Sequence, residues 1–170
     1  MIDVYADLHI HIGRTQSGKP VKITGSKILT VRNILQFASS RKGLGMIGII
    51  DCHAPEVLLE IEELVQLGKL IELPDGGLRF RQTTLLLGSE IEVYDQQCQG
   101  PIHICAYFPT LEKMRAFSDW MSQHVKNINL STQRIYVEGK ELQKMVYEYE
   151  GLFVPAHVFT PVILFMILID

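Results

Sequence analysis

The sequence predicts a single α/β domain with mostly parallel strands. Five short apolar runs alternate with four segments of helical periodicity, and no repeat, low-complexity tract or linker divides the 170 residues. Of these residues 47% are apolar, enough for a sizeable core at this length. Alternating strands and helices are typical of folds in which helices connect parallel neighbouring strands.

Each element can be placed from its local pattern. Strands are predicted over residues 4–10, 46–50, 85–91, 102–108 and 152–155, and helices over residues 30–42, 55–70, 110–125 and 138–150. Gly43 follows the first helix as a stop signal. Residues 70–81 predict a hairpin turning at Asp75-Gly76-Gly77. Residues 13–29 form the longest predicted loop, and loops of that length are often functional.

Charge is distributed unevenly along the chain. The formal net charge of -3 predicts no overall attraction to nucleic acid or anionic membranes. However, no acidic residue lies between Leu8 and Ile50, a stretch that holds seven lysines and arginines. Such a segment favours an anionic ligand such as phosphate, with Arg14, Lys19 and Lys22 as candidate contacts. A solvated basic loop and helix face explains the same pattern equally well.

Cysteine usage and hydropathy predict a soluble, cytoplasmic protein without a membrane partner. Cys52, Cys98 and Cys105 form no CxxC pair, which suits a reducing compartment and argues against a disulfide scaffold. The amino terminus does not resemble a secretory signal. The longest apolar run, residues 162–169, is too short to span a bilayer.

Four apolar runs end in histidines or carboxylates, which is the most informative pattern in the sequence. These endings are Asp7-Leu8-His9-Ile10-His11, Asp51-Cys52-His53, Gly88-Ser89-Glu90 and Pro155-Ala156-His157. Carboxyl ends of parallel strands meet at one edge of a sheet, where ligands and catalytic groups converge. Imidazole and carboxylate groups are the usual ligands of zinc, manganese and iron, and a glutamate among histidines can bridge two metals.

The individual residues differ in how strongly their positions predict a place at the metal site. His9 and His11 lie two apart on a strand, so both rings are expected on one face. His103 begins its predicted strand, so its position alone does not place it at the site. Glu92 can be the solvent neighbour of Glu90, and a lone histidine is more often structural than a ligand. We expect His124 at the surface and Cys52 in the core.

The sequence lacks the motifs of other enzyme classes. The sequence has no G-x-S-x-G elbow, no recognisable catalytic cysteine, no P-loop and no G-x-G-x-x-G after a strand.

At these residues the sequence resembles the PHP (polymerase and histidinol phosphatase) superfamily. Asp7-Leu8-His9-Ile10-His11, Asp51-Cys52-His53, Gly88-Ser89-Glu90-Ile91 with His103, and Pro155-Ala156-His157 resemble its successive motifs. In the second motif one residue separates the two ligands, where many members have Asp-His adjacent. The resemblance covers about residues 1–161 and is strongest to the PHP domain of endonuclease Q-like proteins.

The resemblance implies a partial, distorted (β/α)7 barrel with two or three divalent metals (zinc, manganese or magnesium). It implies that His9, His11 and Glu90 hold one metal and that Glu90, His103 and His157 hold a second. Asp51 and His53 would support the centre or hold a third metal. No catalytic residue is implied beyond these ligands.

The activity that the resemblance implies is metal-dependent hydrolysis of phosphoesters. The endonuclease Q branch acts in DNA repair and nicks DNA on the 5′ side of deaminated bases and abasic sites. The alternatives are a small-molecule phosphatase of the histidinol-phosphatase kind, which the acidic net charge favours, and a non-catalytic metal-binding module.

The sequence also departs from the family. The last family motif, an Asp-x-His, has no counterpart after His157, and the apolar tail over residues 162–170 is unlike the family. We therefore expect a truncated PHP domain with weak or no activity. The tail is expected to pack into the unfinished barrel or onto a second copy of the chain.

Overall fold

The computed structural model describes residues 3–95 and 100–158, which form an α/β fold as predicted. The strands are β1 Ala6–Ile10, β2 Met46–Ile49, β3 Ile71–Glu72, β4 Leu78–Phe80, β5 Thr83–Val93, β6 Ile102–Phe108, β7 Gln133–Arg134 and β8 Leu152–Ala156. The helices are α1 Val31–Phe37, α2 Pro55–Gln66, α3 Leu111–Ser122 and α4 Gly139–Glu148. Cys98 and the predicted tail, with the packing expected of it, lie outside the described residues.

Local sequence accounts for the helix ends. Thr30 and Thr110 accept hydrogen bonds from backbone N–H groups three residues later, at 3.3 and 3.2 Å, which caps α1 and α3. α1 is shorter than predicted because Ala38–Lys42 continue it as a π-helical turn. Gly43, in a left-handed conformation, then ends the segment as expected.

The sheet is mixed, so the expectation of mostly parallel strands was wrong. β1, β2 and β5 are parallel neighbours, whereas β4 and β6 pair with β5 in antiparallel orientation, and β8 pairs antiparallel with β6. The predicted hairpin is present as β3 and β4. Parallel neighbours need a crossover of about a dozen residues, and the connections at residues 81–82 and 94–101 are too short for one.

This strand order explains the position of His103. β1, β2 and β5 end at one edge of the sheet, and the antiparallel β6 therefore begins there. β8 runs opposite to β6, so it ends at that edge again. The start of one strand and the ends of four others thus supply side chains to a common place.

The core lies between the sheet and the helices. Ile47, Ile49 and Leu87 are fully buried on the sheet side, facing residues of α2 such as Val57 and Ile61. Cys52 is buried as expected, and its thiol donates to the carbonyl of Ile49.

His124 is half-buried rather than fully at the surface, because its ring lies against Trp120 with the ring centroids 4.8 Å apart. Within the described ranges, no helix is long and apolar enough to cross a membrane.

A β-bulge shapes the strand that carries His9. Leu8 and His9 of β1 stand opposite Gly48 alone on β2, because Asp7 pairs with Ile47 and Ile10 with Ile49. Bulges of this kind redirect side chains beside functional sites. A Cβ atom at Gly48 would lie 2.5 Å from the carbonyl oxygen of Leu8, so the close approach requires glycine.

We expect Gly48→Ala to lower the free energy of unfolding by about 1–3 kcal/mol, because the methyl group would force β1 and β2 apart. Urea unfolding followed by circular dichroism measures this. Gly100→Ala is the matched control, since a Cβ there meets no atom within 4 Å. Equal stability of the two variants would contradict the bulge.

Candidate metal centre

Glu90 lies at the centre of a group that we call the histidine cluster. Its members are His9, His11, Glu90, His103 and His157. Three imidazole nitrogens face Oε1 of Glu90: His157 Nε2 at 3.1 Å, His103 Nδ1 at 3.2 Å and His9 Nε2 at 3.3 Å. The Glu90 side chain is 2% exposed. The structure thus brings together side chains from β1, β5 and β6 and from the positions directly after β1 and β8, and their role as metal ligands stays a prediction.

His11 faces the other oxygen of the same carboxylate. Its Nε2 lies 3.4 Å from Glu90 Oε2, and its Nδ1 lies 3.1 Å from Oδ2 of the buried Asp51. The same Asp51 oxygen accepts a hydrogen bond from the backbone of Ile12 at 2.7 Å, which fixes the carboxylate. When Nδ1–H donates to Asp51, the lone pair of Nε2 points toward Glu90. This is the arrangement by which a carboxylate orients a metal-binding histidine.

Two loops complete the surroundings of Glu90. Thr132 donates to Glu90 Oε2 at 2.6 Å, and Ser131 Oγ lies 2.9 Å from His11 Nδ1. Lys22, from the loop between β1 and α1, donates to Thr132 at 3.2 Å, and its Nζ lies 3.3 Å from His11 Nε2. Sequence analysis missed Ser131 and Thr132, because they belong to no motif and lie over 40 residues from Glu90.

The electrostatics of the cluster favour an ionised glutamate. Burial would raise the pKa of Glu90, but hydrogen bonds from His103, His11 and His9 hold it well below the ordinary value. Burial lowers the pKa of His11, yet hydrogen bonds to Asp51 and Glu90 outweigh it and raise the pKa to about 9. The hydrogen bond to Glu90 also raises the pKa of His103. Protons on imidazoles balance the buried charge here, and a divalent cation can replace them.

The donor atoms fit divalent metal ions. Glu90, His103 and His157 place one donor atom each within 4.8 Å of one another, and so do His9, Glu90 and Cys105. Imidazole, carboxylate and thiolate are ligands of zinc and related metals. Glu90 belongs to both groups and is therefore placed to bridge two ions. Which metals bind stays a prediction.

Cys105 is a candidate ligand that sequence analysis did not identify. It lies two residues after His103 on β6, directly opposite Glu90 on β5, with its thiol 3.7 Å from His9 Nδ1. Burial raises the pKa of this thiol to about 12, so it is protonated without a metal. The spacing of two between His103 and Cys105, like that between His9 and His11, was the available signal.

Two other predicted residues are placed differently. His53 is fully buried, with Nε2 3.1 Å from the carbonyl oxygen of Leu130 and Nδ1 2.8 Å from Ser89 Oγ. Both ring nitrogens therefore have protein partners, which suits a supporting role better than ligation. Glu92 is more than a solvent neighbour, because its Oε2 lies 3.6 Å from His103 Nε2.

The three candidate phosphate-binding residues differ in what they contact. Lys19 forms a salt bridge of 2.9 Å with Glu56, and Arg14 donates to the carbonyl of Gly18 at 2.7 Å. In the part of the chain that the structure describes, Lys22 is the one of the three with a contact to the histidine cluster.

Replacing the central carboxylate should strongly weaken metal binding. We expect Glu90→Gln to weaken binding of Mn²⁺ or Zn²⁺ by at least about 100-fold, because an amide cannot supply the bridging charge. Titration calorimetry and elemental analysis measure the effect. Glu92→Gln, which changes the neighbouring outer carboxylate, should cost no more than about ten-fold. A Glu90→Gln variant with unchanged metal content would refute the assignment.

Cobalt spectroscopy tests Cys105. The Co²⁺ form should show a thiolate-to-cobalt charge-transfer band in the near ultraviolet, since a ligating thiol loses its proton to the metal. Cys105→Ser should lose the band, whereas Cys52→Ser should retain it, because Cys52 is buried beside Ile49. Absence of the band in the unmodified protein would exclude ligation by Cys105.

Comparisons with known proteins place this geometry in context. No protein-family model matches the chain. The chain is 59% identical over 161 residues to the uncharacterized protein YqxK of Bacillus subtilis strain 168, covering 95% of this chain and 42% of YqxK. It is 29% identical over 156 residues to the uncharacterized protein MJ0043 of Methanocaldococcus jannaschii, covering 91% of this chain and 16% of MJ0043. The chain thus spans less than half the length of either relative.

Two solved structures have a similar fold. One is endonuclease Q in complex with a 27-mer duplex substrate with an abasic lesion at the active site, with a TM-score of 0.71 and 28% identity. It matches over 93% of this chain and 36% of its own. The other is the lesion-specific endonuclease PfuEndoQ from Pyrococcus furiosus, with a TM-score of 0.70, 27% identity and coverage of 93% and 35%. The chain is therefore similar to endonuclease Q in fold and sequence over about a third of the endonuclease Q chain, which fits the PHP-type fold that its motifs predicted.

Proposed function

We propose that the histidine cluster is the metal centre of a phosphoesterase that hydrolyses DNA phosphodiesters. The observation that carries this proposal is the convergence of three imidazole nitrogens on Oε1 of Glu90, with His11 on Oε2. Divalent metals held there supply Lewis acidity toward a phosphoryl oxygen and lower the pKa of water. Glu90 belongs to both donor groups and would hold two such ions close together.

The surrounding residues orient the ligands and receive the substrate. Asp51 holds the His11 ring, and Thr132 holds the Glu90 carboxylate. The Lys22 ammonium group, from the loop between β1 and α1, lies beside the cluster, where it can bind a non-bridging phosphate oxygen. It thereby contributes positive charge where the phosphoryl group gains negative charge.

Relatedness to endonuclease Q supports DNA as the substrate. The similar structures are a lesion-specific endonuclease and a complex with a duplex that carries an abasic lesion. We infer that the complete protein nicks DNA 5′ of deaminated bases or abasic sites. The acidic net charge of -3 favours a second candidate, a small-molecule phosphatase of the histidinol-phosphatase kind.

Nicking assays with the 170-residue chain test the proposal. Duplexes with uracil, an abasic site or no lesion are compared with a small phosphomonoester, each with Mn²⁺, Mg²⁺ or Zn²⁺. We expect slow, metal-dependent nicking of the damaged duplexes, abolished by chelation and by Glu90→Gln. Turnover should be slow because the chain spans 36% of endonuclease Q.

The alternatives predict other results. Preferential hydrolysis of the phosphomonoester would support the phosphatase. Metal binding without hydrolysis of any substrate, and a fold that survives chelation, would indicate a non-catalytic metal-binding module. Robust turnover on damaged DNA would show that the expectation of weak activity is wrong.

A further inference from the structure

An exposed group of tyrosines and basic residues lies beside the histidine cluster. This Tyr–Arg patch comprises Tyr94, Lys126, Arg134 and Tyr136. The guanidinium carbon of Arg134 lies 3.9 Å from the centre of the Tyr94 ring and 5.2 Å from that of Tyr136. Lys126 Nζ lies 5.8 Å from the Tyr136 ring. Tyr94 is 45% exposed and Tyr136 is 52% exposed, so both rings remain accessible.

The sheet places this patch next to the cluster. β7 pairs with β5 so that Arg134 stands opposite Glu92, whose carboxylate contacts His103. Two residues before Arg134, Thr132 donates its hydrogen bond to Glu90. Residues 132–134 therefore contact the candidate metal centre through Thr132 and contribute Arg134 to the patch, so a ligand longer than one phosphate can contact both.

The chemistry of the patch suits a nucleotide chain. Stacking on Tyr94 holds the guanidinium plane, whose N–H edge matches two oxygens of a phosphate. Among the described residues, neither Arg134 nor Lys126 forms a salt bridge with a carboxylate. Half-exposed tyrosine rings offer faces on which an unstacked base can stack.

We propose that the Tyr–Arg patch binds the DNA strand beside the phosphodiester that the histidine cluster hydrolyses. Arg134 and Lys126 bind backbone phosphate, and an unstacked base lies against Tyr94 or Tyr136. This inference rests on the proposed function, because it assigns the patch to the substrate of the same site. It also favours a polynucleotide over a small phosphomonoester, which is too short to use this surface.

DNA binding without metal tests the patch independently of hydrolysis. Fluorescence anisotropy in EDTA with a labelled duplex carrying an abasic site compares the unmodified chain with Arg134→Ala, Arg134→Lys, Tyr94→Ala and Tyr136→Ala. We expect Arg134→Ala to weaken binding by about ten-fold and each tyrosine variant by about five-fold or more. Arg134→Lys keeps the charge but loses the planar fork, so its loss should be intermediate.

The matched control is Arg81→Ala. Arg81 is also an exposed arginine over an aromatic ring, 5.2 Å from the centre of Phe80, but it follows β4, away from β7. Arg81→Ala removes the same charge as Arg134→Ala but at a position away from the patch, so DNA binding should change by less than about two-fold. Equal affinity of the Arg134→Ala and Arg81→Ala variants, or no DNA binding by the unmodified chain, would overturn the inference.

Binding and hydrolysis can fail separately. Metal-dependent hydrolysis of bis(p-nitrophenyl) phosphate by the unmodified chain reports on the histidine cluster alone. Hydrolysis together with equal affinities of the arginine variants would leave the proposed function standing and refute the patch. Selective loss of binding by Arg134→Ala without any hydrolysis would show that the patch binds DNA but would refute the proposed function and the patch's place beside a hydrolysed phosphodiester.

Discussion

A buried, ionised carboxylate is the constraint on which this structure depends. Taking a charge out of water costs several kcal/mol unless partners compensate it. Glu90 is compensated by imidazoles from β1, from β6 and from the positions directly after β1 and β8, and by the hydroxyl of Thr132. Protons or divalent metal ions can supply the positive charge among these groups. The edge of the sheet and the candidate metal centre are therefore stabilised by the same interactions.

The mixed sheet is what makes this compensation geometrically feasible. β6 returns directly beside β5, which sets Cys105 opposite Glu90 and His103 opposite Glu92. β8 then reverses again and delivers His157 to the same edge. An all-parallel sheet would have placed the start of β6 at the far edge. The bulge at Leu8 and His9, where the close approach to β2 requires Gly48, alters the alternation of the strand that carries His9.

General chemistry and substrate choice are separate properties of the molecule. The histidine cluster carries the features of a metal-dependent phosphoester site, and such a site acts on many phosphoesters. Selection among them would depend on the surfaces around it, and the loop that carries Lys22 and the Tyr–Arg patch are the surfaces that we propose for this role. Relatives of greater length have further residues that can add to these surfaces.

Local patterns predicted much of the fold. β6 was predicted with its observed bounds, and the hairpin turn at Gly76 and Gly77 was identified, because alternation and turn chemistry are properties of neighbouring residues. The two-residue strand β7 was missed, because two residues carry no periodicity. Strand direction was partly wrong for a related reason, since hydrophobic patterns indicate that a strand exists but not which way its neighbour runs.

The sequence by itself determined which residues could meet at a strand edge, because histidines and acids at the ends of apolar runs are visible without a structure. The family resemblance already implied that His103 joins them, although its position in the sequence alone did not. Only the tertiary structure decided that His53 contacts Ser89 and Leu130 and that Lys22 reaches the cluster. It also revealed Cys105, Ser131 and Thr132. These contacts join residues far apart in the chain, and strand order and loop path, rather than local propensity, bring them within a few ångströms.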